Sequence, residues 1–262
     1  MAQPQARKRF PFLGGYYAVL IVLLYLPIAI LVLFSFNANQ VLAFPLQGFT
    51  WQWYAQVLGN PTAQTAARNS LFVAFGSSLV ATTLATMVAI LVARYSFRGK
   101  RLLMSLAVLP LIVPYIVLAV ALLLLFAALD VHRSLWTVGI AHTVIGLPYA
   151  LLIVVARIGG VSPFLDEASA DLGADYGTTI RRVILPIIAP AIVAAWLVAF
   201  TASFDEFALA LFLAGPDPTL PVFIYGQLRF ASRLPMLISL ATMVMAGTLT
   251  LAFVADRLRR RG

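Results

Sequence analysis

Residues 167–186 read EASADLGADYGTTIRRVILP, a polar stretch of specified order in a chain otherwise built from long apolar runs. Just upstream, Ser162-Pro163 makes a good helix start. The hydroxyl can cap, and the missing N–H of proline is no loss in a first turn. Leu165, Ala168, Leu172 and Tyr176 recur at helical spacing and predict one apolar stripe, while Glu167, Asp171 and Asp175 predict an acidic one. Gly173 lets another backbone approach closely, and Gly177 can end the helix. Arg181-Arg182 then precede an apolar run that starts at Val183 and holds Pro186 in its first turn. Periodicity alone leaves two readings open: a helix lying on a membrane surface, or a helix docking onto a partner.

Composition places the surrounding chain in a bilayer. Of 262 residues, 62% are hydrophobic and 10% are charged, with a mean hydropathy of +0.98. A soluble domain of this size carries roughly a quarter charged residues. Charge disappears for about 20 residues, the length that crosses the hydrocarbon layer, six times. The spans are Tyr16 to Phe36, Arg68 to Arg94, Arg101 to Asp130, Ser134 to Ala156, Val183 to Phe204 and Leu234 to Ala255. Helices are predicted throughout, because an open strand leaves backbone groups unpaired in lipid and no barrel-like alternation is sustained. Arg7-Lys8-Arg9 before the first run mimics a signal peptide. That run is longer than a secretory apolar core and no cleavage pattern follows, so an uncleaved first helix is expected.

The net charge of +9 reflects bases clustered at span ends, which points to topology and not to nucleic acid. Only Arg68, Arg133, Arg229 and Arg233 of the eighteen bases fall outside the two termini and the 94–101 and 157–182 connections. The positive-inside rule therefore puts both termini and the 167–186 segment on the cytoplasmic side. Pro27, Pro110, Pro114, Pro148, Pro186 and Pro190 lie in the spans; Pro110 and Pro114, with Tyr115 next, are the best candidates for a bend beside a pathway. The second span is rich in Gly, Ala, Ser and Thr, which suits close packing inside a bundle.

Asp205-Glu206, within FTASFDEFALALF, is an acid pair flanked by apolar sequence on both sides. Counting from Val183 puts it about 33 Å along the fifth span, near the outer boundary. It is expected either as a hydrated helix end paired with Arg229 or Arg233, or as the negative lining of a cation pathway. Trp51, Trp53 and Tyr54 suit an interfacial belt, or cation–π partners for a solute. His142 reads as a neutral, hydrogen-bonding core residue. With one further histidine and no cysteine there is no metal constellation, and Gly99-Lys100 lacks the upstream glycine of a phosphate loop. No Ser/His/Asp arrangement stands out, so the chain is expected to have no catalytic site and no cofactor of its own. An ion-coupled secondary transporter is the competing class, but it calls for several ionisable groups near the midplane, where only His142 qualifies.

The order of the 167–186 segment resembles the EAA loop of membrane-spanning subunits of binding-protein-dependent ABC importers. Glu167, Ala168, Gly173, Leu185 and Pro186 fall in register, with Ser169 where the family usually has Ala and Val183 where it has Ile. The resemblance implies an all-α membrane protein of six transmembrane helices, with the type I importer (MetI-like) permease fold and a cytoplasmic coupling helix. It divides the chain into residues 1–62 (N-terminal end, first helix and outer loop) and a permease domain at 63–258 with the EAA loop at 162–186. It further implies a multi-pass inner-membrane subunit without ATPase activity, a dimer of ATPase partners holding ATP and Mg, a second homologous permease in a heterodimer, and a periplasmic solute-binding protein. Glu167, Ala168, Asp171, Gly173, Leu185 and Pro186 are then the ATPase-coupling residues.

GFTWQWYAQVL, ARYSFRGK, SFDEFALALFLAGP and LPVFIYGQLR are similar to the spermidine/putrescine branch of these permeases. That branch implicates the residues matching Asp205, Glu206 and Trp53 in transport, and implies a polyamine or related small cationic amine as solute. Tyr115 stands where the branch has an acid, which argues for lower solute charge. Other solutes of the same scaffold are aminophosphonates, ferric ion and amino-acid-like compounds.

Overall fold

The computed structural model describes the backbone of residues 11–259 and the side chains of residues 14–250. The Arg7-Lys8-Arg9 cluster and the last arginines lie outside the described side chains. Every named element is helical, and the described chain forms two compact units: residues 1–61 with 226–262, and residues 62–225. The sixth apolar run therefore belongs with the first.

In the first unit α1 (Pro11–Ser35) and the loop after it lead to the short α2 (Gln52–Leu58). α1 is apolar on all sides and almost wholly exposed along its length, which suits a lipid-facing helix. The loop is ordered by Asn37, whose side-chain oxygen accepts from the backbone N–H of Asn39 at 3.4 Å and Gln47 at 3.3 Å. Tyr54 Oη lies 2.6 Å from Ser35 Oγ.

The second unit begins with α3 (Pro61–Arg94), 34 residues and about 50 Å long. Its buried face is Ala63, Ala66, Ser70, Ala74, Ser77, Ala81, Ala85 and Ala89, interrupted by nothing larger than Val73 and Val92. Small side chains at three- and four-residue spacing let neighbouring backbones approach closely. The third apolar run is a broken span. α4 (Lys100–Val108), a 3₁₀ turn at Leu109–Leu111 and α5 (Tyr115–Ala128) meet at 106°. Pro110 and Pro114 bracket this break, because neither can donate the backbone bond that would continue the helix. One straight crossing from Arg101 to Asp130 is thus replaced by two shorter helices.

α6 (Leu135–Ile158) starts at a capping box in which the Ser134 N–H donates to Thr137 Oγ1 at 2.9 Å. α7 (Phe164–Asp171) and α8 (Tyr176–Thr179) form the polar connection. A π-turn at Ile180–Ile184 joins α8 to α9 (Leu185–Phe204), so the fifth apolar helix runs without a gap from Tyr176 instead of beginning at Val183. Pro186 has no N–H to offer Arg182, and a wider turn just before it sacrifices no hydrogen bond. The short α10 (Ala208–Leu213) follows, then α11 (Leu220–Leu228). The first unit's last element is α12 (Leu234–Arg259), and its Ser239 Oγ donates to Ser35 O of α1 at 3.0 Å.

The core of the second unit is the crossing of α3, α6 and α9. A Cβ on Gly146 of α6 would lie 3.3 Å from Ala81 of α3 and 3.6 Å from Ala199 of α9. Two apolar clusters flank this crossing. One joins Val73, Phe126, Ile145, Leu209 and Leu213; the other joins Ala85, Leu151, Val154, Ile158, Ile184 and Ile188.

Candidate functional site

The 157–186 connection is built by two helix ends. Ser162 Oγ accepts from the Phe164 N–H at 3.3 Å, as expected of a cap. α7 ends at a Schellman turn: the Ala174 N–H reaches Ser169 O at 3.0 Å and the Gly173 N–H reaches Ala170 O at 2.8 Å. Gly173 has φ +80° and open space around it, so its work is to end α7 in a left-handed conformation. This corrects the expectation that Gly177 ends one long helix. Gly177 lies inside α8, whose N-cap is Asp175, accepting from the Thr178 N–H at 3.3 Å. That hydrogen bonding holds the Asp175 carboxyl below its usual range.

The break also rearranges the stripes. Leu165 and Ser169 face the core, and Ser169 Oγ bonds back to Leu165 O at 2.7 Å, which satisfies a hydroxyl where the resemblance expects Ala. Phe164, Ala168 and Leu172, four residues apart, form the exposed apolar stripe, with Leu172 90% exposed. Glu167 and Asp171 are exposed beside it. Tyr176 belongs to α8 and meets Tyr95 edge-on at 5.5 Å. Leu185 packs on the second apolar cluster, and Pro186 is exposed in the first turn of α9.

The last residue of α3, Arg94, holds this connection. Arg94 Nε lies 3.1 Å from Asp166 Oδ2, with the Arg94 side chain only 7% exposed. Arg94 Nη1 also donates to Val161 O at 3.3 Å. Nothing in the order of the sequence pairs residues 94 and 166, and this ion pair was not anticipated.

A second cluster of polar groups lies inside the bundle. Ser77 Oγ of α3 is 3.0 Å from Ser203 Oγ of α9, which is 2.7 Å from His142 Nδ1 of α6. His142 Nε2 lies 3.2 Å from Glu206 Oε2. The Glu206 carboxylate also accepts the N–H of Leu209 at 2.9 Å and of Ala210 at 3.1 Å, and so caps α10. Every member is satisfied when Nε2–H donates to Glu206 and the Ser203 hydroxyl donates to Nδ1, a tautomer assigned from this network. His142 is the hydrogen-bonding core residue that the sequence suggests, though its carboxylate partner was not foreseen.

The acid pair is therefore divided. Asp205 is exposed and its carboxylate makes no hydrogen bond or ion pair among the described residues, whereas Glu206 is 5% exposed. Glu206 has His142 as its partner; within their own unit Arg229 and Arg233 lie over the Phe230 ring, at 4.9 and 4.8 Å. Nor does the pair sit at the end of the bundle. His142 is eight residues, about 12 Å, along α6 from Ser134. α10 covers that distance, since Leu213 O accepts from the Ser134 N–H at 3.1 Å and from Thr137 Oγ1 at 2.9 Å. The fifth helix ends at Phe204, as the sequence predicts, and the Glu206 carboxylate then accepts the first N–H groups of α10.

Tyr115, at the start of α5, bonds Tyr149 of α6 through their hydroxyls at 2.9 Å and packs against the cluster containing Leu209 and Ala210. Trp53 belongs to α2 of the first unit. It is 4% exposed and its indole N–H is committed to Asn37 O at 2.7 Å, which makes it an anchor of the first unit's loop. Trp51 remains exposed and packs with Phe36 and Tyr54. No group of three or more metal-ligating side chains occurs among the described residues.

Comparison with known proteins gives a consistent picture. The family described as binding-protein-dependent transport system inner membrane component matches residues 81–261. The chain is 33% identical over 248 residues to the spermidine/putrescine transport system permease protein PotC of Escherichia coli K12, covering 94% of this chain and 93% of that one. It is 30% identical over 246 residues to the putrescine transport system permease protein PotI of the same strain, covering 91% and 87%. Among solved structures, a chain of a bacterial ABC transporter that imports the acidic polysaccharide alginate has the same fold, with a TM-score of 0.75, 14% identity and coverage of 97% and 99%.

Proposed function

Since the chain belongs to the binding-protein-dependent transport system inner membrane components and is the multi-pass permease subunit of an ABC importer, we propose that its solute is a polyamine or a related small cationic amine. The observation that carries this reading is the likeness to PotC along nearly the whole chain. The break between α9 and α10 supports it, since it holds one exposed carboxylate, Asp205, directly beside the buried one of Glu206. Acids within membrane-spanning segments usually face a cavity or a partner charge, and Asp205 has no partner charge among the described residues. Tyr115, tied to Tyr149, offers a hydroxyl where the polyamine branch has an acid, which favours a solute of lower charge.

The subunit pairs with a second, homologous permease in a heterodimer. Two ATPases, which hold the ATP and Mg, dock from the cytoplasm, one of them on α7 through Glu167, Ala168, Asp171 and the exposed Phe164 and Leu172. Both termini lie on that side, following the distribution of basic residues. A periplasmic receptor delivers solute to the opposite face. Closure of the ATPases displaces α7, and the spans then switch between inward- and outward-facing states.

Uptake by the reconstituted importer, compared for putrescine, spermidine, γ-aminobutyrate, ferric ion and an anionic aminophosphonate, tests the solute. Preference for a cationic amine, reduced in Asp205→Asn, is the expected result. Preference for the aminophosphonate, or unchanged uptake in Asp205→Asn, refutes the cation reading.

A further inference from the structure

We infer that Arg94 and Asp166 form the strut through which displacement of α7 is passed to α3, and that without it the docking helix swings loose from the bundle. The inference rests on the docking reading above and concerns what happens after docking.

α7 has little else to hold it. Of its eight residues only Ser169 is buried, and Leu165 alone packs against the apolar cluster below. Glycines flank it at both ends, Gly159-Gly160 leading in and Gly173, at φ +80°, leading out, so that no side chain braces either turn. A push on so weakly seated a helix is absorbed by its own loops unless something stiff resists. The end of α3 supplies that resistance at three points along the connection. Arg94 Nη1 bonds Val161 O where the chain leads in, Arg94 Nε meets Asp166 in the first turn of α7, and Tyr95 packs edge-on against Tyr176 beyond its end.

The chemistry suits a strut more than a surface contact. An exposed ion pair between long side chains contributes little and holds no fixed geometry. Here the Arg94 side chain is 7% exposed and that of Asp166 28% exposed, so removing either partner strands a charge in a poorly hydrated place. The planar guanidinium sets Nε 3.1 Å from the carboxylate while Nη1 donates to the carbonyl, a two-point geometry that the single ammonium of a lysine reproduces less well. Above Arg94, α3 runs 17 residues, about 25 Å, to Ser77 and so to the Ser203, His142 and Glu206 cluster. Both ends of this line lie in one compact unit.

The test uses the complete importer in lipid vesicles, with ATPase recovery, ATP hydrolysis and solute uptake measured on the same preparations. Arg94→Gln should leave ATPase recovery within about twofold of the parent and lower solute imported per ATP about tenfold, the size of coupling found between contacting residues. Asp166→Asn should do the same and Arg94→Lys should fall between. The exchange Arg94→Asp with Asp166→Arg should import more per ATP than either reversed residue alone, which a merely structural loss would not. Parent-like import per ATP in Arg94→Gln overturns the strut. So does an exchange no better than its single changes, or a loss of ATPase recovery equal to that of Glu167→Lys, since the pair would then belong to the docking surface. Glu167→Lys run in parallel separates the two ideas: if it keeps the ATPase bound, the docking reading itself fails.

Discussion

Neutralising Asp205 and Glu206 should have opposite consequences, although they are neighbours in sequence. Glu206→Ala removes the acceptor for three donors, the N–H groups of Leu209 and Ala210 and the Nε2 of His142. A buried donor left unpaired costs about 1–3 kcal/mol, so even the low end of the three together is about 3 kcal/mol. Loss of the α10 cap alone is worth about 1 kcal/mol of this. Glu206→Gln keeps one oxygen for the two backbone groups but turns an amide N–H₂ toward His142, which must change tautomer so that Nδ1–H donates to Ser203 and the Ser203 hydroxyl turns toward Ser77; an intermediate loss is expected. Asp205→Asn removes no hydrogen bond among the described residues and should stay within about 0.5 kcal/mol of the parent. The measurement is the fraction of subunit surviving a graded heat step in lipid nanodiscs, read by size exclusion, beside uptake at permissive temperature. Glu206→Ala should fail at markedly lower temperature; Asp205→Asn should survive like the parent while importing poorly. A Glu206→Ala protein as heat-resistant as the parent, or an Asp205→Asn protein as fragile as Glu206→Ala, would refute the division of roles.

Glu167→Lys, on the exposed face of α7, should abolish uptake and weaken recovery of the ATPase in an affinity pull-down, with the subunit still in the membrane. Gly173→Val forces a β-branched residue into a left-handed backbone at a cost of about 1–2 kcal/mol and should impair the same recovery, whereas Gly173→Asn should retain most of it. Reporter fusions should find residues 95–100 and 160–180 cytoplasmic and residues 40–65 and 215–232 outside; a cytoplasmic 40–65 segment would overturn the topology. Gly215→Ala should lower heat resistance measurably, because its Cβ would fall 2.6 Å from Arg133 O on a backbone with φ +68°, and unchanged survival would show that the turn can shift.

Much of the architecture was legible in the chain because a bilayer forces it. Runs of about 20 uncharged residues form helices there, and among the described residues five unbroken helices of that kind are present, at Gly14–Ser35, Pro61–Arg94, Leu135–Ile158, Tyr176–Phe204 and Ala231–Thr250. Pro110 and Pro114 announced the bend in the remaining run, since proline acts through its own missing N–H and needs no partner to do so. The Ser162 cap is local in the same way. Tertiary structure decided the rest, because it depends on pairs far apart in sequence. Glu206 reads like Asp205 until His142, 64 residues away, and the turn of α10 close around it. Arg94 reads as one more base at a span end until Asp166, 72 positions later, is brought against it. Trp53 reads as an aromatic free to meet a solute until the fold places Asn37 O over its N–H. Periodicity and composition report what a residue prefers from solvent or lipid, whereas a hydrogen bond or ion pair exists only at a distance of about 3 Å, which the folded chain alone sets.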